Sequence, residues 1–342
     1  MKRFILFAVA SLMLSSCNYS QSSKVPYEGE PYELVMIADA NTQKSMSWET
    51  LIYTMNNDVP MLNQKEPMFN VITTIPTNVK GIMRRHRNLV FLNIGEQYDS
   101  ISVKIEMDKY AEGQLALNIS GPNDTTLANY LWNHQDLVLA ALSKEERKRM
   151  VDRMTEYGTP SIVKKIQSKF DFTMQVPRGY KIRESKENFL WFSNETKLTS
   201  QGVVIYTYPY DPSSEKFTLL YATEKRDSVV SIIPGPSKGS YMRTSRAFSP
   251  IAHQITVNGR KWIAIRGFWD VENDFMGGPF VSFSTIDEKN NRIIVIDEYV
   301  YSPSNTKKVR NLVRQLESMV YSTVVPGTET PEQELEESDI VE

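Results

Sequence analysis

A single cysteine in 342 residues, at position 17, constrains this chain more than any other feature. A lone thiol leaves no disulfide to close a loop and no cysteine pair to grip a metal, so packing alone must hold the fold. Its setting points to another use. Lys2 and Arg3 supply a positive start, residues 4–14 are almost wholly apolar, and Leu14-Ser15-Ser16 ends the run with small residues directly before Cys17. This is the pattern of a secretory leader cut before an acylated cysteine, and its apolar stretch is too short to span a bilayer. Residues 1–16 are therefore expected to be removed, Cys17 to carry acyl chains, and residues 17–30, polar and aperiodic, to act as a tether.

The remainder is long enough for two domains of about 100–200 residues each. Hydrophobic residues make up 41% and charged residues 23%, which is ordinary globular composition and excludes both a disordered chain and a membrane bundle. The net charge of −2 hides an asymmetry, because residues 326–342 hold seven acidic side chains and no basic one. That acidic tail is expected to be disordered. The rest is only mildly basic, too weakly for a nucleic-acid partner.

Periodicity divides the chain into elements. Residues 32–38 read as a strand, Ser47 as the N-cap of a helix through residue 59, and residues 69–75 and 89–94 as further strands. Ile101, Val103, Ile105 and Met107 alternate with polar residues, as do Leu115, Leu117 and Ile119 after Glu112-Gly113, which predicts a hairpin with one wet face. Asn123 or Asp124 caps a helix, and Ser143 to Glu146 reads as a capping box that opens another. The N-terminal α+β domain, residues 31–158, ends near Gly158-Thr159-Pro160.

In the C-terminal domain, residues 159–325, the segments 170–176, 180–183, 189–192 and 203–208 are β-rich, and a helix spans 217–232. Hairpins follow across Asn258-Gly259 and Asn290-Asn291, and Val309, Leu312, Val313, Leu316 and Val320 close the domain as an amphipathic helix. The fold class is α+β, the second domain an antiparallel sheet with helices on one face. Its order is similar to the sandwich of PsbP and Mog1 proteins, a likeness of fold that carries no activity.

Chemistry-bearing residues concentrate between Arg266 and Phe280. In an extended chain Asp270, Glu272 and Asp274 project to one side, as Ca²⁺ ligands, as an acid–base pair or as a solvated acidic turn. The EF-hand pattern fails, since Phe275 stands where glycine is required. Gly277-Gly278-Pro279 reads as a loop suited to close approach of a partner, with Trp269 and Arg266 beside it. Arg226 shares a helical stripe with Leu219, Val230 and Ile233, so its guanidinium must either snorkel to water or meet a carboxylate such as Asp270 or Asp297, with the adjacent Asp227 pointing elsewhere. His86, His134 and His253 lack ligand spacing, so no metal or other cofactor is expected. His134 reads as a core histidine, Arg84-Arg85-His86-Arg87 as a basic loop or a site for lipid phosphates, and residues 144–153 as a solvated charged helix face. Nucleophile elbows and phosphate loops are missing from the sequence.

Val176-Pro177-Arg178-Gly179-Tyr180, Tyr206-Thr207-Tyr208-Pro209-Tyr210, Arg226-Asp227-Ser228-Val229, Ile233-Pro234-Gly235 and Met276-Gly277-Gly278-Pro279-Phe280, with the cysteine motif at Cys17, carry a resemblance. They resemble a lipoprotein family of the Bacteroidota, domain of unknown function 4837. The resemblance implies a location and no catalytic residues. In that lineage an acidic cluster after the acylated cysteine resembles the address for surface display; here there is none, so the expected site is the cell outer membrane, facing the periplasm.

The leading expectation is a non-catalytic envelope module, anchored to the membrane through Cys17, that contacts a protein or glycan partner through Gly277, Gly278, Trp269 and Arg266. A hydrolase or lyase using Asp270, Glu272 and Asp274, with Arg266 stabilising an anion, is the alternative. The third is a carrier of an apolar ligand, which requires an internal cavity of roughly 300 Å³ or more.

Overall fold

The computed structural model describes residues 24–211, 218–303 and 308–327. The leader, Cys17 and residues 328–342 lie outside the described residues, as does Phe217 at the start of the helix expected over 217–232. Among the described residues no helix is long and apolar enough to cross a membrane.

The N-terminal domain is built on a five-stranded sheet in the order β2-β1-β3-β5-β4. Strands β1 (Glu33–Ile37), β2 (Asn70–Thr74), β3 (Asn88–Ile94) and β5 (Leu115–Gly121) are parallel, and β4 (Ser102–Met107) closes the edge antiparallel to β5. The wet hairpin expected from the alternating residues is this β4–β5 pair. Helices α1 (Met46–Asn56), α3 (Asp124–Asn133) and α4 (Gln135–Tyr157) bury Trp48, Leu51, Leu127, Leu131, Val138 and Leu142 against one face. The short α2 (Gly81–Arg84) lies on the side opposite, where Met83 and Tyr110 cover Val35, Ile37, Leu89 and Ala116.

Local chemistry explains several departures from the sequence reading. Ser45, not Ser47, caps α1, its hydroxyl accepting from the Trp48 amide at 3.1 Å; Ser47 is engaged instead by Asp124 at the start of α3, at 2.7 Å. Asn123 caps α3 as expected. The capping box at Ser143 is unused, because α4 runs unbroken from Gln135 and the real interruption is His134. His134 is exposed rather than in the core, its ring stacked on Tyr130 at 4.2 Å with Nδ1 2.8 Å from the Tyr130 carbonyl.

Residues 144–153 are a solvated face only in part: Lys144, Lys148, Asp152 and Arg153 are exposed, but Glu145, Glu146 and Arg149 are buried. Glu146 is fully buried, gripped by Arg87 at 2.7 and 2.8 Å, by Arg149 at 2.8 Å and by the Asn88 amide at 2.7 Å. The expected Glu145–Arg149 pair is present at 3.4 Å, also buried. With the Tyr32 amide at 3.3 Å, five donors on one carboxylate offset much of the cost of removing it from water.

The C-terminal sheet is antiparallel, in the order β10-β11-β12-β13-β8-β7-β6, with β9 (Tyr241–Thr244) paired to the far end of β11. Its strands are β6 (Lys181–Lys186), β7 (Phe189–Glu195), β8 (Ser200–Pro209), β10 (Ile251–Val257), β11 (Arg260–Glu272), β12 (Gly277–Asp287) and β13 (Arg292–Tyr301). Asn258 and Gly259 both take positive φ, 46° and 76°, which is the left-handed turn that two-residue hairpins demand. Alternation along β13 decides the layers. Ile294, Ile296 and Val300 face α5 (Pro160–Phe170) and α7 (Val309–Tyr321), while Ile293, Val295 and Tyr299 face α6 (Leu219–Val230). The α+β class with an antiparallel sheet stands, and α6 adds a second covered face to the one expected. Residues 160–170 form α5, and the segment expected as β-rich over 170–176 runs extended outside the sheet, with an isolated bridge from Thr173 to Val324.

The two domains meet along α7. Lys308, its N-cap, supplies no side-chain cap; Glu66 from the α1–β2 loop does so across the interface, accepting from the amides of Val309 at 2.7 Å and Arg310 at 3.1 Å. Tyr32 of the N-terminal domain lies beneath the guanidinium groups of Arg310 and Arg314, at 5.6 and 5.7 Å. Its burial pushes the phenol up to about 12.

The expected tether is folded in part. The Tyr27 amide donates to Glu112, Glu28 to Arg85, and Arg87 back to Glu28, so residues 25–28 run as a ribbon between the approaches to β3 and β5. Tyr27 lies over Arg87 and Arg149 at 5.0 and 4.9 Å, and the buried His86 packs beneath Gly29. His86 thus belongs to a structural seam rather than to an exposed basic loop.

Candidate functional site

Strand β11 dictates where the singled-out residues point. Gly277 and Gly278 are not a loop: they open β12 in register with Asp270 and Trp269. A Cβ on Gly278 would sit 2.1 Å from the Val300 carbonyl oxygen, and one on Gly277 would sit 2.8 Å from that of Trp269. Glycine is required there by neighbouring backbone. Trp269 is only 2% exposed. Its indole N–H donates to the Val300 carbonyl at 3.1 Å and its ring meets Tyr299 edge-on at 5.7 Å, so this side chain is packed into the core rather than displayed on a loop.

Arg266 is likewise internal. It faces α7, where it pairs with the buried carboxylate of Glu317, which Arg314 also holds at 3.1 Å. Burial alone would raise Glu317, but the two guanidinium groups leave it below the usual glutamate range. Arg226 finds Asp297 rather than Asp270, at 2.7 and 3.3 Å, donates to the Thr244 hydroxyl at 2.9 Å, and lies 3.7 Å above the Phe280 ring. Asp227, expected to point away, joins this cluster by accepting from the Thr244 amide at 2.7 Å. The cluster fastens α6 to the sheet.

Asp270 and Glu272 do share a side, as alternation requires, and both are taken by one guanidinium, Arg243 of β9; its Nε is 2.7 Å from Asp270. Asp274 accepts from the Ser237 hydroxyl and from the Phe275 amide, which hold its carboxyl below the ordinary aspartate range. Two carboxylates sharing a structural arginine and a third closing a turn do not make an acid–base pair around a substrate. Among the described residues no group of three His, Cys, Asp or Glu side chains is arranged to hold a metal ion.

What the β11–β12 end does form is one wall of a cleft. Met61, Leu62 and Asn63 of the α1–β2 loop stand opposite Phe248, Phe268, Trp269, Gly277 and Gly278, around a volume of about 480 Å³. The first wall is positioned by that loop closing on itself, Val59 bonding Glu66 at 2.9 Å and Met68 bonding Asn57 at 2.8 Å, and by Glu66 capping α7. On the second wall Phe248 is 58% exposed and packs on Phe268 at 5.1 Å.

Among the described residues no titratable side chain lines this cleft. It is suited to hold a flat or apolar group by van der Waals contact with a few backbone and amide hydrogen bonds. Of the residues singled out from sequence, Trp269, Gly277 and Gly278 reach it, while Arg266, Arg226, Asp270, Glu272 and Asp274 belong to internal or surface ion pairs. Phe248, Phe268, Met61, Leu62 and Asn63 escaped the sequence reading. One signal was present: Phe248 stands in Ser245-Arg246-Ala247-Phe248-Ser249-Pro250, a lone aromatic among turn residues.

Residues 159–322 match the family described as Domain of unknown function (DUF4837), and residues 28–155 match Domain of unknown function (DUF8532). No curated protein matches the chain. Among solved structures, the Saccharomyces cerevisiae Ran-binding protein Mog1p is similar at 15% identity, with 45% of this chain and 89% of that chain covered and a TM-score of 0.30. LpqN, involved in cell envelope biogenesis of Mycobacterium tuberculosis, is similar at 9% identity over 45% of this chain and 82% of that chain, with a TM-score of 0.27. The human StarD13 (DLC2) lipid transfer and protein localization domain is similar at 9% identity over 48% of this chain and 95% of that chain, with a TM-score of 0.22.

Proposed function

We propose that this chain, whose C-terminal domain belongs to Domain of unknown function (DUF4837), is a cell-envelope module that binds a partner in the cleft between its domains and does not transform it. The observation that carries this reading is the lining of the cleft: aromatic and aliphatic walls, Asn63, two glycines and, among the described residues, no ionisable group. The partner is a protein segment or a glycan presenting a flat or apolar face to Phe248. Acylation of Cys17 keeps the module at the outer membrane on its periplasmic side; the support is the leader sequence before Cys17.

The test is crosslinking in intact envelopes with the wild type and with Phe248→Asp, a change at an exposed position. The expected result is a wild-type adduct, to protein or to glycan, that the variant loses at equal protein level. An unchanged adduct pattern removes the cleft as the contact. Turnover of a defined substrate by the purified domains would overturn the binding reading itself.

A further inference from the structure

The chain enters its N-terminal domain at a particular place. Lys24 bonds the Asp108 carbonyl, Glu112 bonds the Val25 carbonyl, and the Arg85 side chain lies 3.5 Å from Glu28, so the entering ribbon is flanked by α2 and the β4–β5 loop. On this surface two apolar side chains stand in solvent, Ile82 at 67% and Val25 at 57% exposure. Lys24, Lys80 and Arg84 are exposed around them, with Arg85 and Lys109 half-buried close by. Of the acidic neighbours, Glu28 pairs with Arg85 and Glu106 with Lys109 at 2.5 Å, while Glu112 beside Val25 is exposed, so the cations outnumber the acids on this surface without excluding them. Arg84 also lies over the Tyr110 ring at 4.2 Å, which holds α2 firmly against the sheet.

Chain length selects what covers this surface. Only residues 18–23 separate Cys17 from Lys24. Seven Cα steps reach at most about 25 Å. A globular body of this size is about 50 Å across. An acylated Cys17 therefore brings the Lys24 end of the body, and no other, to the lipid headgroups.

The geometry points to α2 and the entering ribbon as a membrane-docking face: Ile82 and Val25 enter the headgroup layer while Lys24, Lys80 and Arg84 meet lipid phosphates. This rests on the reading of Cys17 as the acylated residue. An apolar side chain ringed by cations is the arrangement by which a surface helix seats in an interface. The acyl chains on Cys17 supply the anchor, and this face sets how the body lies against the headgroups. The pairing fixes the orientation of the cleft relative to the membrane.

The test uses the full acylated protein carrying Ile82→Cys with a nitroxide label, bound to vesicles of phosphatidylethanolamine and phosphatidylglycerol. Cys17, consumed by acylation, does not compete for the label. Leu220→Cys on α6, 69% exposed, is the control. The expected result is that the label at 82 collides preferentially with oxygen while the label at 220 stays accessible to an aqueous nickel chelate. Adding Lys80→Glu and Arg84→Glu should shift the label at 82 outward. Equal nickel access at both positions in acylated, vesicle-bound protein overturns the docking face and leaves the anchor standing. Shielding of position 82 only in the presence of envelope proteins assigns the face to a protein instead. A Cys17 peptide without acyl mass overturns anchor and docking face together.

Discussion

Glu66 caps a helix that is not its own. Its carboxylate receives the Val309 amide at 2.7 Å and, through its other oxygen, that of Arg310 at 3.1 Å, so the first turn of α7 is completed by the opposite domain. The same loop carries Met61, Leu62 and Asn63 to the cleft. Removing the cap leaves buried amides unpaired and loses the favourable meeting of a carboxylate with a helix N-terminus. Glu66→Ala should destabilise by about 2 kcal/mol, and Glu66→Gln by less. Urea unfolding checks both, and the Ala variant should also loosen amide-exchange protection in the first turn of α7.

Glu298 makes the opposite prediction. It faces α7 from β13, is fully buried, and neither carboxylate oxygen has a hydrogen-bond partner among the described residues. Burial first, and then Glu317 and Asp297, push its carboxyl well above the ordinary glutamate value of 4.5, with Arg266 opposing. In the unfolded chain the group ionises near its ordinary value while the folded chain keeps its proton. Stability from this group is therefore undiminished at low pH and falls as pH rises above the ordinary value, by up to about 1.4 kcal/mol per unit until the folded group also ionises. Glu298→Gln should flatten that fall, read as unfolding free energy between about pH 5 and 8.

Arg226 should tolerate no substitution. Replacing it with Met strands the fully buried Asp297 and strips the cation from the Phe280 ring, at a cost of about 3–5 kcal/mol. Arg226→Lys cannot reproduce the two-point grip on Asp297 and should recover only part of this. The double change Arg226→Met with Asp297→Leu should recover more than either single change predicts, as a double-mutant cycle will show.

Gly278→Ala distinguishes packing from recognition at the cleft. The added carbon collides with the Val300 carbonyl on a neighbouring strand, so the variant should lose about 3 kcal/mol or fail to accumulate. Phe248→Asp, by contrast, should melt within a few degrees of the wild type. Thermal unfolding of the pair checks this.

Much of the fold was legible because short-range signals decided it. Asn258-Gly259 fixed one hairpin, and the apolar stripe from Val309 to Val320 fixed α7. The site was not legible, for a physical reason that one strand illustrates. Asp270, Glu272, Trp269 and Gly277 look like a recognition loop in one dimension. Their partners are Arg243 on the unforeseen β9 and Val300 on β13, and nothing local announces either. The cleft draws its walls from residues 61–63 and from the 248–278 region, so no window of sequence contains both. Glu145, Glu146 and Arg149 misled in the same way: their spacing fits a solvated face, and only the approach of Arg87 and Asn88 makes them a buried cluster.

The borrowed cap has a consequence for anyone dissecting the molecule. Severed at the Gly158 joint, the C-terminal fragment would keep α7 but begin it with bare amides, and the N-terminal fragment would keep Glu66 with nothing to receive. Each half is a finished sheet and an unfinished domain, so separately produced pieces should fray where they once touched and regain order on mixing.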